Sequence, residues 1–132
     1  MMRDEVSILV VDDVNAMRVQ VKELLISFGF TKVQTAESGE QAKQLMETQQ
    51  FQLLMVDWHM APGDGMELLK HARAHPKYKD TAFVMVTAEN TKECVVQAVK
   101  GGVDDYLVKP LTLDSIQSKV YAALLKRQVL QS

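Results

Sequence analysis

The chain has 132 residues, which is the usual length of one compact domain. It is 47% hydrophobic and 24% charged, which supplies enough apolar surface for a sizeable core and excludes a disordered tail. Because 15 basic residues face 17 acidic ones, the net charge is -2. The chain therefore lacks the overall basic field that would hold nucleic acid or an anionic membrane.

Two further features of the composition narrow the cellular setting. A single cysteine, Cys94, excludes an internal disulfide and most cysteine-based metal sites, and it suits a reducing compartment. No apolar run is long enough to span a bilayer, and the start Met-Met-Arg-Asp-Glu lacks the apolar segment of a secretory signal. We therefore expect a soluble, cytoplasmic protein.

Short apolar runs predict the strands of the fold. The runs Ile8–Val11, Leu53–Val56 and Phe83–Val86 are continuous rather than alternating, which is typical of strands buried on both faces. Two further strands are predicted at Lys32–Ala36 and Tyr106–Val108.

Segments with helical spacing follow each of these strands. In the first, apolar residues recur at intervals of three and four over residues 17–28, and Gly29 ends the helix. Ser38 is the expected N-cap of the second helix, and Gly101-Gly102 ends the fourth. The predicted helices after the first are Glu40–Thr48, Met66–Ala74, Lys92–Lys100 and Leu113–Gln128.

Strands that alternate with helices through short connections call for a parallel sheet with helices on both faces. The sequence therefore predicts a doubly wound α/β fold. No linker, internal repeat or low-complexity stretch divides the chain, so we expect a single domain over residues 1–132 with no output domain. In such a sheet, ligands bind beyond the carboxyl ends of the strands.

Polar side chains follow four of the five predicted strands at that edge. They are Asp12, Asp13, Asp57, Thr87 and Lys109. Three carboxylates brought together repel one another unless a cation neutralises them, and an oxygen-only ligand set suits Mg²⁺. The lysine and the threonine complement phosphoryl oxygens. The pattern therefore indicates a site for a divalent cation and an oxyanion.

These strand ends resemble the receiver domain of two-component response regulators. The likeness extends from about Ser7 to the last helix, and Gly65 beyond the third strand fits it too. It implies a flavodoxin-like sheet in the order 2-1-3-4-5. Within the family, the single-domain chemotaxis members are the most similar. The matching motifs are Val11-Asp12-Asp13, Met55-Val56-Asp57-Trp58, Val86-Thr87-Ala88-Glu89 and Tyr106-Leu107-Val108-Lys109-Pro110.

The resemblance implies a phosphorylation site and a metal site that share one carboxylate. Asp57 would accept a phosphoryl group from a sensor histidine kinase or from a small phosphodonor such as acetyl phosphate. Asp13, Asp57 and the backbone carbonyl of His59 would hold Mg²⁺, with Asp12 acting mostly through water. We expect the protein to be a signalling phospho-acceptor and not an enzyme, although it would assist its own phosphorylation and dephosphorylation.

The resemblance also implies how phosphorylation becomes a surface signal. Lys109, the Thr87 hydroxyl and the Ala88 backbone N–H would receive the phosphoryl oxygens. Movement of Thr87 toward the phosphoryl group would let Tyr106 turn inward. That movement would reshape the face made by the fourth helix, the fifth strand and the fifth helix.

Two residues beside the site are expected to tune the lifetime of the phosphoryl group. His59 lies two residues past the phosphorylation site, and Glu89 lies two residues past Thr87, so both should border the path of the hydrolytic water. His71 and His75 lack a metal-binding spacing and are interpreted as solvated residues, and Cys94 is interpreted as inert.

Several residues depart from the usual pattern of the family. Pro62 stands one place later than the usual proline of this loop, which implies altered carbonyl geometry near the metal. Asp104-Asp105 would add negative charge beside Tyr106, and valines replace smaller alanines on the signalling face, so the usual flagellar partner is disfavoured. The expected partner face consists of Val95, Val99, Val103 and Tyr106.

The implied partners are a chemotaxis-type sensor kinase, a flagellar motor switch protein and a phosphatase, with the chain itself a monomer. One alternative is a receiver that drains a shared kinase as a phosphate sink or acts on a non-flagellar target. A Mg²⁺ phosphatase of the haloacid dehalogenase type would need a second Asp two residues after Asp12, where Val14 stands. No glycine-rich nucleotide motif follows the first strand, and the filled acid, threonine and lysine positions disfavour an inactive receiver.

Overall fold

The structure is a computed structural model that describes residues 1–89 and 91–130. Its strands form one parallel sheet in the order β2-β1-β3-β4-β5, which confirms the predicted doubly wound fold. Residues 90, 131 and 132 of the expected domain lie outside the described residues. The strands are β1 (Ser7–Val11), β2 (Lys32–Ala36), β3 (Leu53–Asp57), β4 (Ala82–Thr87) and β5 (Asp105–Val108).

The predicted helices are present along the described part of the chain, and the last one ends two residues earlier than expected. The Ser38 hydroxyl accepts a hydrogen bond from the Gln41 backbone N–H and caps the second helix, as predicted. Gly102 adopts a left-handed conformation (φ +98°) that ends the fourth helix. The helices are α1 (Asn15–Ser27), α2 (Gly39–Thr48), α3 (Gly65–Ala74), α4 (Lys92–Gly101) and α5 (Leu113–Lys126).

The three central strands, β1, β3 and β4, are buried on both faces because alternate side chains enter two separate apolar cores. Leu9 and Leu54 belong to a core that α2, α3 and α4 cover. Their chain neighbours Ile8 and Leu53 belong to a second core, which α1 and α5 cover. Helices on both faces therefore explain why these strands read as continuous apolar runs. Among the described residues, no helix combines the length and the apolar character needed to cross a membrane.

Glycine at two positions lets the loop between β3 and α3 lie close to the sheet edge. A Cβ added at Gly65 would lie 2.7 Å from the Asp57 backbone oxygen and 2.9 Å from the Trp58 Cα. A Cβ added at Gly39 would lie 2.6 Å from the Gly63 backbone oxygen. Both contacts are shorter than side chains tolerate, so glycine is needed for the loop to pack against the strand end that carries Asp57.

A buried acidic residue joins several elements at the amino ends of β4 and β5. The Asp104 side chain is 0% exposed. Its carboxylate accepts hydrogen bonds from Arg73 Nη2 (3.2 Å), Arg127 Nε (2.9 Å) and the Phe83 backbone N–H (2.9 Å). The expectation that Asp104 adds charge to the signalling face is therefore wrong, because this carboxylate is buried and paired with two guanidinium groups.

The interpretation of two histidines as solvated is also wrong, because both are half-buried between α2 and α3. His75 Nε2 lies 3.1 Å from Glu47 Oε1, and the His75 ring centroid lies 5.7 Å from that of His71. Burial, followed by repulsion from Lys43, lowers the pKa of His71, which keeps this imidazole neutral at pH 7. These contacts link the two helices.

Candidate functional site

The structure brings three carboxylates together at the carboxyl edge of the sheet. Asp12 directly follows β1 and Asp57 ends β3, and these strands are neighbours in the sheet. Asp12 and Asp57 are buried and Asp13 is exposed. One carboxylate oxygen from each of the three lies within 4.8 Å of the others. This set of hard oxygen donors can hold a divalent cation and suits the preferences of Mg²⁺.

Lys109, which follows β5, is the cation nearest to these carboxylates among the described residues. Its ammonium lies 3.2 Å from Asp57 Oδ1 and 3.4 Å from Asp12 Oδ2. Burial alone would lower the pKa of Lys109, but attraction to Asp57 and then to Asp12 outweighs burial and raises the pKa. The lysine is therefore charged at neutral pH.

One ammonium does not compensate the crowded acids. Burial, followed by repulsion from Asp12, raises the pKa of Asp57 above its ordinary value, although Lys109 acts in the opposite direction. Ionised Asp57 is therefore unfavourable in the folded chain, and a divalent cation beside it would relieve the repulsion. The crowded negative charge of these residues therefore fits a Mg²⁺ ion.

This crowding predicts a pH-dependent gain of stability in Asp57→Asn. A carboxyl whose pKa is raised by folding favours the folded state when protonated, and this contribution is lost as the pH rises through the folded pKa. In urea unfolding without Mg²⁺, we expect Asp57→Asn to exceed wild type in unfolding free energy at pH 7.5. The excess should shrink toward pH 4, where wild-type Asp57 takes up its proton.

The exposed residue Asp80 provides the matched control for this change of charge. Asp80→Asn should leave the unfolding free energy within about 0.5 kcal/mol of wild type at both pH values. A loss of stability in Asp57→Asn at pH 7.5 would show that pairing with Lys109 outweighs the repulsion and would contradict the account.

Thr87 and Tyr106 contact the same loop residue, Glu89, through its backbone. Thr87 ends β4 and is buried, and its hydroxyl accepts a hydrogen bond from the Glu89 N–H (3.2 Å). The Tyr106 hydroxyl donates to the Glu89 carbonyl (2.6 Å), and its ring meets the Trp58 ring edge-on at 6.4 Å between centroids. Burial raises the pKa of Tyr106, so the phenol stays protonated and able to donate. A shift of this loop therefore acts on both side chains. Ala88, which lies between Thr87 and Glu89 in the chain, is exposed.

A contact between two side chains bridges the two loops that border the site. His59 Nε2 lies 3.1 Å from Glu89 Oε1, with side chains 59% and 51% exposed. The His59 ring stacks on Trp58, with centroids 6.1 Å apart and planes 14° apart, and the Cys94 thiol donates to Glu89 Oε2 at 3.2 Å. The sequence suggested a position beside the site for both residues but not their pairing. Because a pair this exposed adds little stability, its importance lies in where it sits.

The expected partner face is only partly exposed. Val99 is 61% exposed, and Val95 and Tyr106 are half-buried. Val103 is only 8% exposed and packs in the core under α4, so its assignment to the partner face is wrong for this conformation. Val96, which was not predicted to belong to the partner face, is 40% exposed and lies one turn from Val99. Helical spacing from Val99 was the signal that could have found it.

The acidic edge expected beside Tyr106 is neutralised. Asp104 is buried and paired, and the Asp105 carboxylate lies 3.0 Å from the Lys119 ammonium on α5. The signalling face is therefore less acidic than the sequence suggested.

Pro62 follows a cis peptide bond in the exposed loop after β3, and the peptide bond between Lys109 and Pro110 is also cis.

Comparison with known families agrees with this geometry. The family model described as "Response regulator receiver domain" matches residues 8–121. The chain belongs to this family of signalling receivers, and the expected resemblance is confirmed.

Curated relatives include chemotaxis proteins that match over nearly their full length. The CheY homolog of Campylobacter jejuni is 40% identical over 114 residues, which cover 86% of this chain and 88% of the relative. Chemotaxis protein CheY-3 of Vibrio cholerae is 37% identical over 113 residues, covering 86% and 87%. Among solved structures, the chemotaxis response regulator CheY4 of Vibrio cholerae superposes with a TM-score of 0.85 at 28% identity, covering 90% of this chain and 98% of that one. This chain is therefore a receiver homologous to the CheY chemotaxis regulators.

Proposed function

We propose that this chain is a stand-alone response regulator that accepts a phosphoryl group on Asp57, with Mg²⁺, from a chemotaxis-type sensor histidine kinase. The main support is the grouping of three carboxylates and one ammonium at one edge of the sheet. That set provides a nucleophile, donors for a divalent cation and a counter-charge for a transferred phosphoryl group.

In the proposed reaction, a carboxylate oxygen of Asp57 attacks phosphorus. The bond between phosphorus and the nitrogen of a phosphohistidine, or the oxygen of acetyl phosphate, breaks, and the leaving atom takes the electron pair. An acyl phosphate remains on Asp57. Lys109 lies 3.2 Å from Asp57 Oδ1, where it offsets charge on the carboxylate before transfer and on the phosphoryl oxygens afterwards.

Asp13, Asp57 and the backbone carbonyl of His59 would hold the Mg²⁺ ion, with Asp12 acting through water. When bound, the ion neutralises phosphoryl charge and aligns the donor with the carboxylate. Asp12 has a different task in the folded chain, because its Oδ2 lies 3.4 Å from Lys109 and keeps the ammonium facing the site.

The same contacts supply the switch. The Thr87 hydroxyl and the Ala88 N–H would receive phosphoryl oxygens, which withdraws the Thr87 hydroxyl from the Glu89 N–H that it now bonds. Glu89 also holds Tyr106 through its carbonyl, so Tyr106 would turn inward as this loop moves. The exposed valines of α4 lie on the face that then changes.

The pair formed by His59 and Glu89 is proposed to set the lifetime of the acyl phosphate. It joins the loops after β3 and β4, and its members lie two residues beyond Asp57 and Thr87 in the chain. This position beside the site, rather than any contribution to stability, supports a role in hydrolysis.

The output is proposed to be a flagellar motor switch protein, by analogy with the chemotaxis proteins that this chain resembles. A phosphatase is proposed as a further partner. Val95, Val99 and Tyr106 would carry the contact with the target, and the face would bind it more tightly after phosphorylation. The non-basic charge of the chain disfavours nucleic acid and membrane as targets.

Removal of the nucleophile tests the phosphorylation site. Asp57→Asn should lower incorporation of label from radiolabelled acetyl phosphate by at least about 100-fold, because an amide oxygen is a poor nucleophile. The exposed control Asp80→Asn should label like wild type. Acid-stable, base-labile label at full stoichiometry in Asp57→Asn would show that Asp57 is not the phosphorylated residue.

Exchange of the ammonium tests its link to the output. Lys109→Arg should still be labelled but should lose the rise in affinity for a flagellar switch peptide that Mg²⁺ and beryllofluoride produce in wild type, because a planar fork cannot reproduce the ammonium's position. Fluorescence anisotropy of a labelled peptide measures this affinity. Wild-type affinity in activated Lys109→Arg contradicts the role of the lysine. If activated wild type never binds the peptide, the receiver is a phosphate sink or acts on another target.

A further inference from the structure

The turn between β1 and α1 is held by Arg18, a residue outside the set of strand-end residues. Arg18 Nη1 donates to the Asp12 backbone oxygen at 2.7 Å, and Nη2 donates to Asn15 Oδ1 at 3.1 Å. The guanidinium is half-buried and bridges the start and the end of this turn. The sequence pattern did not indicate a role for Arg18, because this residue lies a full turn into α1.

Asp12 is fixed at each of its oxygen atoms. Its Oδ1 accepts from the Val14 backbone N–H (2.9 Å), its Oδ2 lies 3.4 Å from Lys109 Nζ, and its carbonyl accepts from Arg18. The Asp12 N–H donates to the Ala36 carbonyl at 3.1 Å. The N–H and all three oxygen atoms of Asp12 therefore have partners at the end of β1.

Asp13 differs, although it is the neighbouring carboxylate of the cluster. It is exposed, and within residues 1–89 and 91–130 its side chain has neither a hydrogen bond nor an ion pair. The backbone on both sides of Asp13 is held by hydrogen bonds. Arg18 fixes the carbonyl that precedes Asp13, and Asp12 fixes the N–H that follows it.

We propose that Arg18 is a positioning residue for the Mg²⁺ site, which holds Asp13 in place through the Asp12 carbonyl and the Asn15 side chain. The inference rests on the proposed function, since it assigns a supporting residue to the proposed metal site. Charge-assisted hydrogen bonds made by a planar fork are strong and directional, which suits this task.

A guanidinium near a cation site also repels the cation, so the two effects oppose each other. The positive charge of Arg18 already faces a carbonyl and an amide oxygen, and solvent reaches the half-exposed side chain and screens it. Loss of groups that support metal ligands commonly weakens metal binding about 10-fold or more. Positioning therefore outweighs repulsion, and removal of Arg18 should weaken Mg²⁺ binding.

The experiment is a Mg²⁺ titration of the full chain, read by Trp58 emission and by isothermal titration calorimetry. Arg18→Ala should raise the Kd for Mg²⁺ about 10-fold. Arg18→Lys keeps the charge but not the fork, and it should raise the Kd nearly as much; it also serves if Arg18→Ala fails to fold. The matched control is Lys22→Ala, an exposed charge on α1, which should leave the Kd within about twofold of wild type.

A second readout separates positioning from general damage. At saturating Mg²⁺, both Arg18 variants should be labelled by acetyl phosphate at a rate within about twofold of wild type, because the chemical groups themselves are intact. A labelling defect that saturating Mg²⁺ does not restore overturns the metal-positioning role.

The other outcomes are equally distinct. An unchanged or lower Kd in Arg18→Ala, while wild type binds Mg²⁺, overturns the inference and leaves the proposed site standing. A lower Kd would show that the guanidinium acts mainly by repulsion. An equal rise of the Kd in Lys22→Ala also overturns it, because a general disturbance of α1 would then explain the effect. If wild type shows no Mg²⁺ binding by either readout, the proposed metal site fails, and the inference fails with it.

Discussion

Repulsion among the carboxylates at one edge of the sheet is the constraint on which the rest of this site depends. Asp12 and Asp57 are buried at the ends of neighbouring parallel strands, and one ammonium, Lys109, offsets part of their charge. The sheet supplies the rigidity that keeps these groups close, since both of its faces are covered by helices and filled by apolar cores. The folded chain therefore stores an unfavourable arrangement of charge that a cation and a phosphoryl group would change. Under the proposed function, stability and phosphorylation are opposed at this edge.

The loops around the edge explain how a local change in charge could reach the surface. Glu89 contacts Thr87 and Tyr106 through its backbone, and His59 and Cys94 through its carboxylate. One residue thus joins the end of β4 to β5, to α4 and to the loop after β3. In the proposed switch, movement of this loop is the physical link between the acid cluster and the exposed valines of α4. The buried Asp104 network joins several elements at the opposite end of the sheet.

The cluster of acids was predictable because parallel-sheet geometry brings every strand's carboxyl end to one edge, so Asp12, Asp57 and Lys109 could be placed from strand assignments alone. The strand order was implied only by the resemblance to receiver domains. Contacts between side chains of different elements were not predictable in this way. The pairing of His59 with Glu89, and the burial of Asp104 between two arginines, depend on loop paths and helix packing that no local pattern records. Val103 follows the last turn of α4, where the chain bends back into the core, so its apolar character indicated burial as much as a partner contact. Arg18 was not predicted, because it lies in α1 beyond the strand ends that parallel-sheet geometry brings together.

In the proposed switch, charge placed on Asp57 moves the loop after β4 and, through it, Tyr106. Backbone amide chemical shifts of the labelled chain, recorded with Mg²⁺ alone and then with added beryllofluoride as a phosphoryl mimic, report this movement residue by residue. We expect changes at Asp57 together with changes at Thr87, Ala88 and Glu89, along β5 and along α4. Changes confined to the residues around Asp57, with β5 and α4 unaffected, would contradict the proposed switch.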